Sequence, residues 1–259
     1  MDLGIAGRRA LVCGASQGLG YACALALAQE GASVTLVSRR RSALEEAAST
    51  IEKAVGRRPD IIACDLATAE GLRAAMAESA PPDILVTNAG GPPTKDFREL
   101  SAADWDLALR TNFLSGVELI KANVDSMIAR GFGRIVNITS VTVRMPVERL
   151  DLSTSTRLAL TGYVAGVSRQ VARHNVTINN LLPGSFATDR LESFIQATAK
   201  ARKLTRAEAV AELEAETPAG RFGRPPEFGA ACAFLCSVHA GYITGQNWLL
   251  DGGAYPGTY

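Results

Sequence analysis

Arg9-Ala10-Leu11-Val12-Cys13-Gly14-Ala15-Ser16-Gln17-Gly18-Leu19-Gly20 is the stretch that decides how the rest of this chain is read. The apolar run Arg9–Cys13 reads as a strand buried on both faces, and the alanine- and leucine-rich Tyr21–Gln29 reads as the helix after it. Between them stand three glycines. Gly14 suits a tight turn out of the strand, Gly18 leaves the backbone open to close approach by a phosphate group, and Gly20 lets the helix settle on the strand. The loop residues Ser16, Gln17 and Leu19, with the N–H groups at the helix start, complete a cradle for an anion. In a chain with 24 glycines the spacing is a weak signal, and the strand before it and helix after it give it weight.

The same alternation runs on. Ser33–Ser38, Asp60–Cys64, Ile84–Thr87, Arg134–Ile138, Val176–Leu182 and Asn247–Leu250 are short β-rich runs, most of them continuously apolar. Helical patterns such as Arg41–Val55 and Glu227–Cys236 lie between them. Strand–helix alternation of this kind predicts an α/β Rossmann fold, a seven-stranded doubly wound parallel sheet with helices on both faces. Residues 1–259 read as one dinucleotide-binding domain. The charged, helix-prone stretch from about 188 to 221 follows a late strand and reads either as a helical flap over the sheet edge or as a solvated surface helix.

Bulk properties exclude several function classes. The chain has 259 residues, 47% of them hydrophobic, and 27 basic against 26 acidic side chains leave a net charge of +1. Neither nucleic acid nor a membrane surface is favoured by that balance. No apolar run reaches the ~18 residues of a membrane span, and no signal peptide is visible, which together point to the cytoplasm. Five cysteines and two histidines form no ligand cluster, so no metal is expected and the thiols read as structural.

The second strand ends at Ser38-Arg39-Arg40-Arg41. A carboxylate here would bind a ribose 2′-hydroxyl, whereas Arg39 and Arg40 suit a 2′-phosphate, so NADP(H) is expected over NAD(H). The alternative is that these arginines end the strand facing water.

From here the sequence resembles the short-chain dehydrogenases/reductases. The resemblance rests on Gly14–Gly20, then Cys64-Asp65-Leu66, Asn88-Ala89-Gly90, Asn112, Gly133–Ser140, Leu182-Pro183-Gly184 and Ile243–Gln246 leading to Asp251-Gly252-Gly253, which span most of the chain. It implies that Asp65 and Leu66 contact the adenine and that Asn88, Ala89 and Gly90 close the strand beside the ribose. It further implies that Pro183 and Gly184 line the nicotinamide pocket, that Thr188 holds the carboxamide or pyrophosphate, and that the chain assembles as a homotetramer or homodimer.

Family members use Asn, Ser, and a Tyr-x-x-x-Lys pair. Here Asn112 and Ser140 match, and the register places Ser153 where the tyrosine stands and Arg157 where the lysine stands. The chain also resembles a β-ketoacyl carrier-protein reductase-like subgroup with Ser-x-x-x-Arg. Tyr163 lies ten residues past Ser153, off the face that carries the pair. A phenol near pKa ~10 can trade a proton beside a cation; a serine hydroxyl is far weaker, and arginine stays protonated. Arg157 would therefore keep the cofactor-anchoring role, with proton transfer altered. Two readings follow: an NADP(H)-dependent oxidoreductase acting on a small carbonyl or alcohol substrate, 3-oxoacyl-reductase-like, or a non-catalytic NADP(H)-binding relative serving as sensor or partner subunit.

Overall fold

In the computed structural model, which describes residues 1–258, the strands are β1 (Arg9–Cys13), β2 (Ser33–Ser38), β3 (Asp60–Ala63), β4 (Ile84–Thr87), β5 (Gly133–Ile138), β6 (Val176–Pro183) and β7 (Asn247–Leu250). The helices are α1 (Gly18–Gln29), α2 (Arg41–Val55), α3 (Ala69–Glu78), α4 (Ala102–Leu109), α5 (Ser115–Arg130), α6 (Asp151–Val171), α7 (Asp189–Arg202), α8 (Arg206–Ala215) and α9 (Pro225–Cys236). All strand pairs are parallel, and the order is β3-β2-β1-β4-β5-β6-β7. This is a doubly wound Rossmann sheet. Element ends differ slightly from the sequence reading. β3 stops at Ala63, β5 starts at Gly133, and β6 runs on to Pro183. α1 starts at Gly18, three residues before Tyr21, and α9 starts at Pro225, where a missing N–H is no loss.

Alternate side chains of each strand serve opposite faces. Ala10, Val12, Val34, Leu36 and Val136 pack under α1, α2 and α9, through residues such as Leu27, Leu44 and Phe228. Leu11, Cys13, Leu85, Ile135 and Ile178 pack under α5 and α6, through Leu119, Ile120, Leu160 and Val164. Burying both faces is what made the strands read as continuously apolar.

The sheet interior is nevertheless polar along one row. Thr87 Oγ1 donates to Asn137 Oδ1 at 2.6 Å, Asn137 Nδ2 to Asn180 Oδ1 at 3.0 Å, and Asn180 Nδ2 to Asn247 Oδ1 at 2.8 Å. These four are register partners on β4 to β7. A buried amide is costly unless paired, so a one-residue slip of any of these strands would orphan its neighbours, and the row pins the register.

At the opposite end of β5, Arg134 is 1% exposed. Its guanidinium donates to the carbonyls of Ser237, Gly133 and Asn175 at 2.9 Å each and to Asn175 Oδ1 at 3.1 Å. It also lies 4.3 Å from the Phe132 ring centroid. Burial lowers its pKa, yet enough oxygen atoms surround it to hold the charge.

The 188–221 stretch forms α7 and α8, with a small core of its own around Ile195, Ala209 and Leu213. Its base is pinched by a parallel bridge between Phe186 and Gly223, with Ala187 N–H donating to Gly223 O and Gly223 N–H to Ser185 O, each at 2.9 Å. A Cβ on Gly223 would meet the Phe186 ring at 2.6 Å, so only glycine closes this neck. Among the described residues no helix is long and apolar enough to cross a membrane.

Candidate active site

β1 is flanked by β2 and β4, so the chain leaves it in one direction and returns on the other side. Ligands of open α/β sheets sit at the carboxyl ends of the strands at such a switch point. Here Gly14 (φ +59°) and Gly18 (φ +61°) hold the left-handed backbone the loop requires, and a Cβ on Gly20 would overlap the Gly14 carbonyl oxygen. Asn88 Nδ2 donates to that same oxygen at 3.3 Å, tying the end of β4 to the loop. The Gln17 side chain at the N-cap of α1 makes no capping bond, which leaves the first N–H groups of the helix for an anion. Thr188 stands across the gap, its Cγ2 3.8 Å from where a Gly18 Cβ would lie. Pro183 and Gly184 end β6 beside them. A Cβ on Gly184 would meet Asp251 Cα at 2.8 Å.

Past β2, Ser38 Oγ lies 3.0 Å from Ser16 Oγ, and Arg40 Nη2 donates to Gln17 Oε1 at 3.3 Å. Arg39 and Arg40 are exposed, and neither makes an ion pair with a described residue, whereas Arg41 faces Glu45 at 3.9 Å. Asp65 and Leu66 follow β3, and the Asp65 carboxylate accepts from Ala67 N–H at 3.0 Å. Ala89 is half-buried, and Gly90 borders open space. The loop, the two arginines and the β3 and β4 ends thus share one edge of the sheet. They fit a dinucleotide carrying phosphate groups: bare N–H groups at one end, unpaired cations at the other.

Asn112 occupies a π-helical turn, Arg110–Leu114, that joins α4 to α5 and packs against α6. Single π turns inside helices often mark functional positions. Asn112 is 4% exposed; its Nδ2 donates to Ala108 O at 3.3 Å, and its Oδ1 is buried with no partner among the described residues. Ser140, just past β5, accepts from Thr142 N–H at 3.2 Å and keeps its own proton to give.

Ser153 and Arg157 lie one turn apart on α6, both buried. Arg157 Nε donates to Ser153 Oγ at 3.2 Å, and Nη1 donates to Ile138 O, at the end of β5, at 2.8 Å. Its Nη2 bonds to no described residue. Burial, with the positive charge of Arg190 second, lowers Arg157 to about 10, so it is a cation throughout the physiological range. The N-cap position of α6 is Leu150, and Asp151 is the exposed first residue of the helix. Tyr163 packs away from the pair, into the core under α5, with its pKa raised by burial. Cys232 contacts both Cys23 and Cys236 between α1 and α9; the contact with the Cys232 thiol, with burial second, raises Cys236 well above an ordinary thiol.

The sequence reading missed Arg190, on the first turn of α7. Its guanidinium lies against Gly91 so closely that a Cβ there would overlap it. Its position two residues past Thr188 was the available signal.

The sequence model of the family described as Enoyl-(Acyl carrier protein) reductase matches residues 14–255. The chain belongs to the short-chain dehydrogenase/reductase family. It is 35% identical over 253 residues to a gluconate 5-dehydrogenase of Gluconobacter oxydans (strain 621H), covering 96% of this chain and 95% of that one. It superposes on L-sorbose reductase of Gluconobacter frateurii in complex with NADPH and L-sorbose with a TM-score of 0.93, at 30% identity and 98% coverage of both chains. On a 3-oxoacyl (acyl-carrier-protein) reductase of Agrobacterium tumefaciens C58 with NADP bound the TM-score is 0.87, at 30% identity, with 97% and 95% covered. The chain is thus an oxidoreductase-family protein whose structural relatives bind NADPH or NADP.

Proposed function

We propose that this short-chain dehydrogenase/reductase is an NADP(H)-preferring oxidoreductase acting on a carbonyl/alcohol pair, and that its substrate oxygen is held by Ser140, Ser153 and Arg157 without a tyrosine. The carrying observation is Arg157, a buried cation with Nη2 uncommitted at the end of β5. Bound NADPH supplies the hydride. Ser140 and Ser153 donate to the oxygen that gains charge, and the fixed guanidinium stabilises that charge. The final proton comes from water, because neither serine nor arginine is an acid of suitable strength. Asn112, with an unpaired buried oxygen, orders the polar groups behind the site. Relatives that act on gluconate and sorbose support a polyhydroxy carbonyl compound as substrate. The α7–α8 excursion serves as the flap over the cleft. Exposed Leu107, Leu114 and Leu158, on and beside α4, α5 and α6, support assembly of copies through those helices.

Titration with NADPH and NADH, followed by a panel of ketoses and keto acids, tests this reading. NADPH is expected to bind at least about tenfold tighter than NADH, with the margin lost in Arg39→Ser/Arg40→Ser, since a charge-assisted bond contributes about 1.5–3 kcal/mol. Binding without oxidation of NADPH by any member of the panel would return the chain to the non-catalytic reading.

The pH profile separates this site from one with a titrating base. Arg157, held by burial at about 10, stays a cation over the range in which the enzyme is assayed. For alcohol oxidation, kcat/KM should therefore climb about tenfold per pH unit from roughly pH 6 to 9, as hydroxide takes the proton, with no side chain of the site levelling it off. A plateau below pH 8 would mean that some other side chain is the base.

A further inference from the structure

We propose that the cavity at the amino ends of β1, β2 and β3, at the opposite end of the sheet from the Gly14–Gly20 loop, is a binding site for a small zwitterion of the amino-acid class, its carboxylate held by Arg57 and its ammonium by Asp60 and Glu78. The proposal goes beyond the oxidoreductase reading and does not depend on it.

The cavity holds about 560 Å³, within the roughly 300–1,000 Å³ of small-molecule sites. Its floor is one face of the sheet. Leu11 and Ile62 are buried on that face, but toward the amino ends it turns polar: Thr35 is the register partner of both Leu11 and Asp60, and Ser33 is that of Arg9. The other face of the same strand stays apolar, with Val34 and Leu36 in the core. The half-buried hydroxyls of Ser33 and Thr35 bond to no described residue. In the walls stand Arg57, in the loop before β3, and Glu78, the last residue of α3. Neither their side chains nor that of Asp60 makes a hydrogen bond or ion pair with a described residue. Their neighbours are engaged. Arg58, next to Arg57, takes Glu45 and Glu52 at 2.6 and 2.8 Å, and Asp83 takes Arg130 at 2.9 Å. One cation and two acids thus line a single cavity without pairing with one another, because the backbone around them holds them apart. A ligand bearing both signs meets both, through charge-assisted bonds at each end, and the hydroxyls serve its remaining donors. A simple anion would face Asp60 and Glu78, and a simple cation would face Arg57, so the cavity selects the zwitterion over either.

Calorimetry on the whole protein, with and without NADPH, compares 6-aminohexanoate with hexanoate and hexan-1-amine, which keep its carbon chain and lose one charge each; L-lysine is titrated alongside. The zwitterion is expected to bind at least about tenfold tighter than either analogue, the range of one charge-assisted contact, and equally well with NADPH present. Arg57→Gln should bring its affinity to within about twofold of hexan-1-amine, and Asp60→Asn/Glu78→Gln to within about twofold of hexanoate. All three side chains are exposed, so these variants should melt within about 2 °C of wild type. Equal affinity for the three compounds, or no binding of any of them or of L-lysine, would overturn the proposal. So would a preference for the zwitterion that survives both variants. So would one that NADPH abolishes, since the compound would then sit in the cofactor cleft. None of these readings uses turnover, so failure of the oxidoreductase reading would leave this site standing, and loss of this site would leave that reading untouched.

Discussion

Ser153→Tyr combined with Arg157→Lys is expected to raise ketone reduction by about 100-fold, at the lower end of what a positioned general acid contributes. The two positions are one turn apart on α6 and already share a hydrogen bond, so a phenol and an ammonium placed there would face the same oxygen. A phenol near pKa ~10 is drawn lower by an adjacent cation and can give its proton to an alkoxide, which a serine hydroxyl cannot do at neutral pH. The paired change matters because Ser153 is buried. A tyrosine there must turn into the cleft, and the shorter lysine, giving up the bond to Ile138 O, makes room for the ring. Ser153→Tyr alone should gain far less. NADPH oxidation on the carbonyl panel, with thermal melts and NADPH affinity measured alongside, is the readout. No gain in a folded double variant that still binds NADPH would show that positions 153 and 157 do not border the substrate oxygen.

Arg134→Met is expected to cost about 3–5 kcal/mol of stability, roughly 10 °C or more in Tm for a chain of this size. Methionine keeps much of the apolar stem but removes the guanidinium that donates to the carbonyls of Ser237, Gly133 and Asn175 and to the Asn175 amide oxygen, of which the Asn175 carbonyl keeps its bond from Gly133 N–H. The buried carbonyls of Ser237 and Gly133 then lose a charged donor that water does not replace. Arg134 opens β5, whereas Ser140 lies past its other end, so NADPH affinity should stay within about twofold as the melting point falls. A melting point within about 2 °C of wild type would mean that solvent reaches these carbonyls, contrary to the burial seen.

Much of the fold was legible because its signals are local. Runs such as Ser33–Ser38 and Ile84–Thr87 are apolar on both faces, and that pattern needs no knowledge of neighbours. The glycines announce left-handed turns and close contacts by their own chemistry, and Arg39 and Arg40 announce an unpaired charge by the lack of a nearby acid. The Ser153–Arg157 pair was visible through its helical spacing. Legibility failed where a residue's meaning depends on distant partners. Nothing in the words Thr87, Asn137, Asn180 and Asn247 shows that they form one hydrogen-bonded row, because register alone brings them together.

By itself, the sequence determined the seven parallel strands, the glycine turns of Gly14–Gly20, the cations after β2 and the one-turn spacing of Ser153 and Arg157. Each is set by the identity and spacing of residues within a few turns of one another. Only the tertiary structure decided that Arg157 is anchored to Ile138 O, that Asn112 keeps a buried oxygen unpaired in a π turn, and that Arg190 comes to rest on Gly91. Those arrangements join segments far apart in the chain. Their energies come from burial and from charges placed together by the crossovers of the sheet, which no local pattern records.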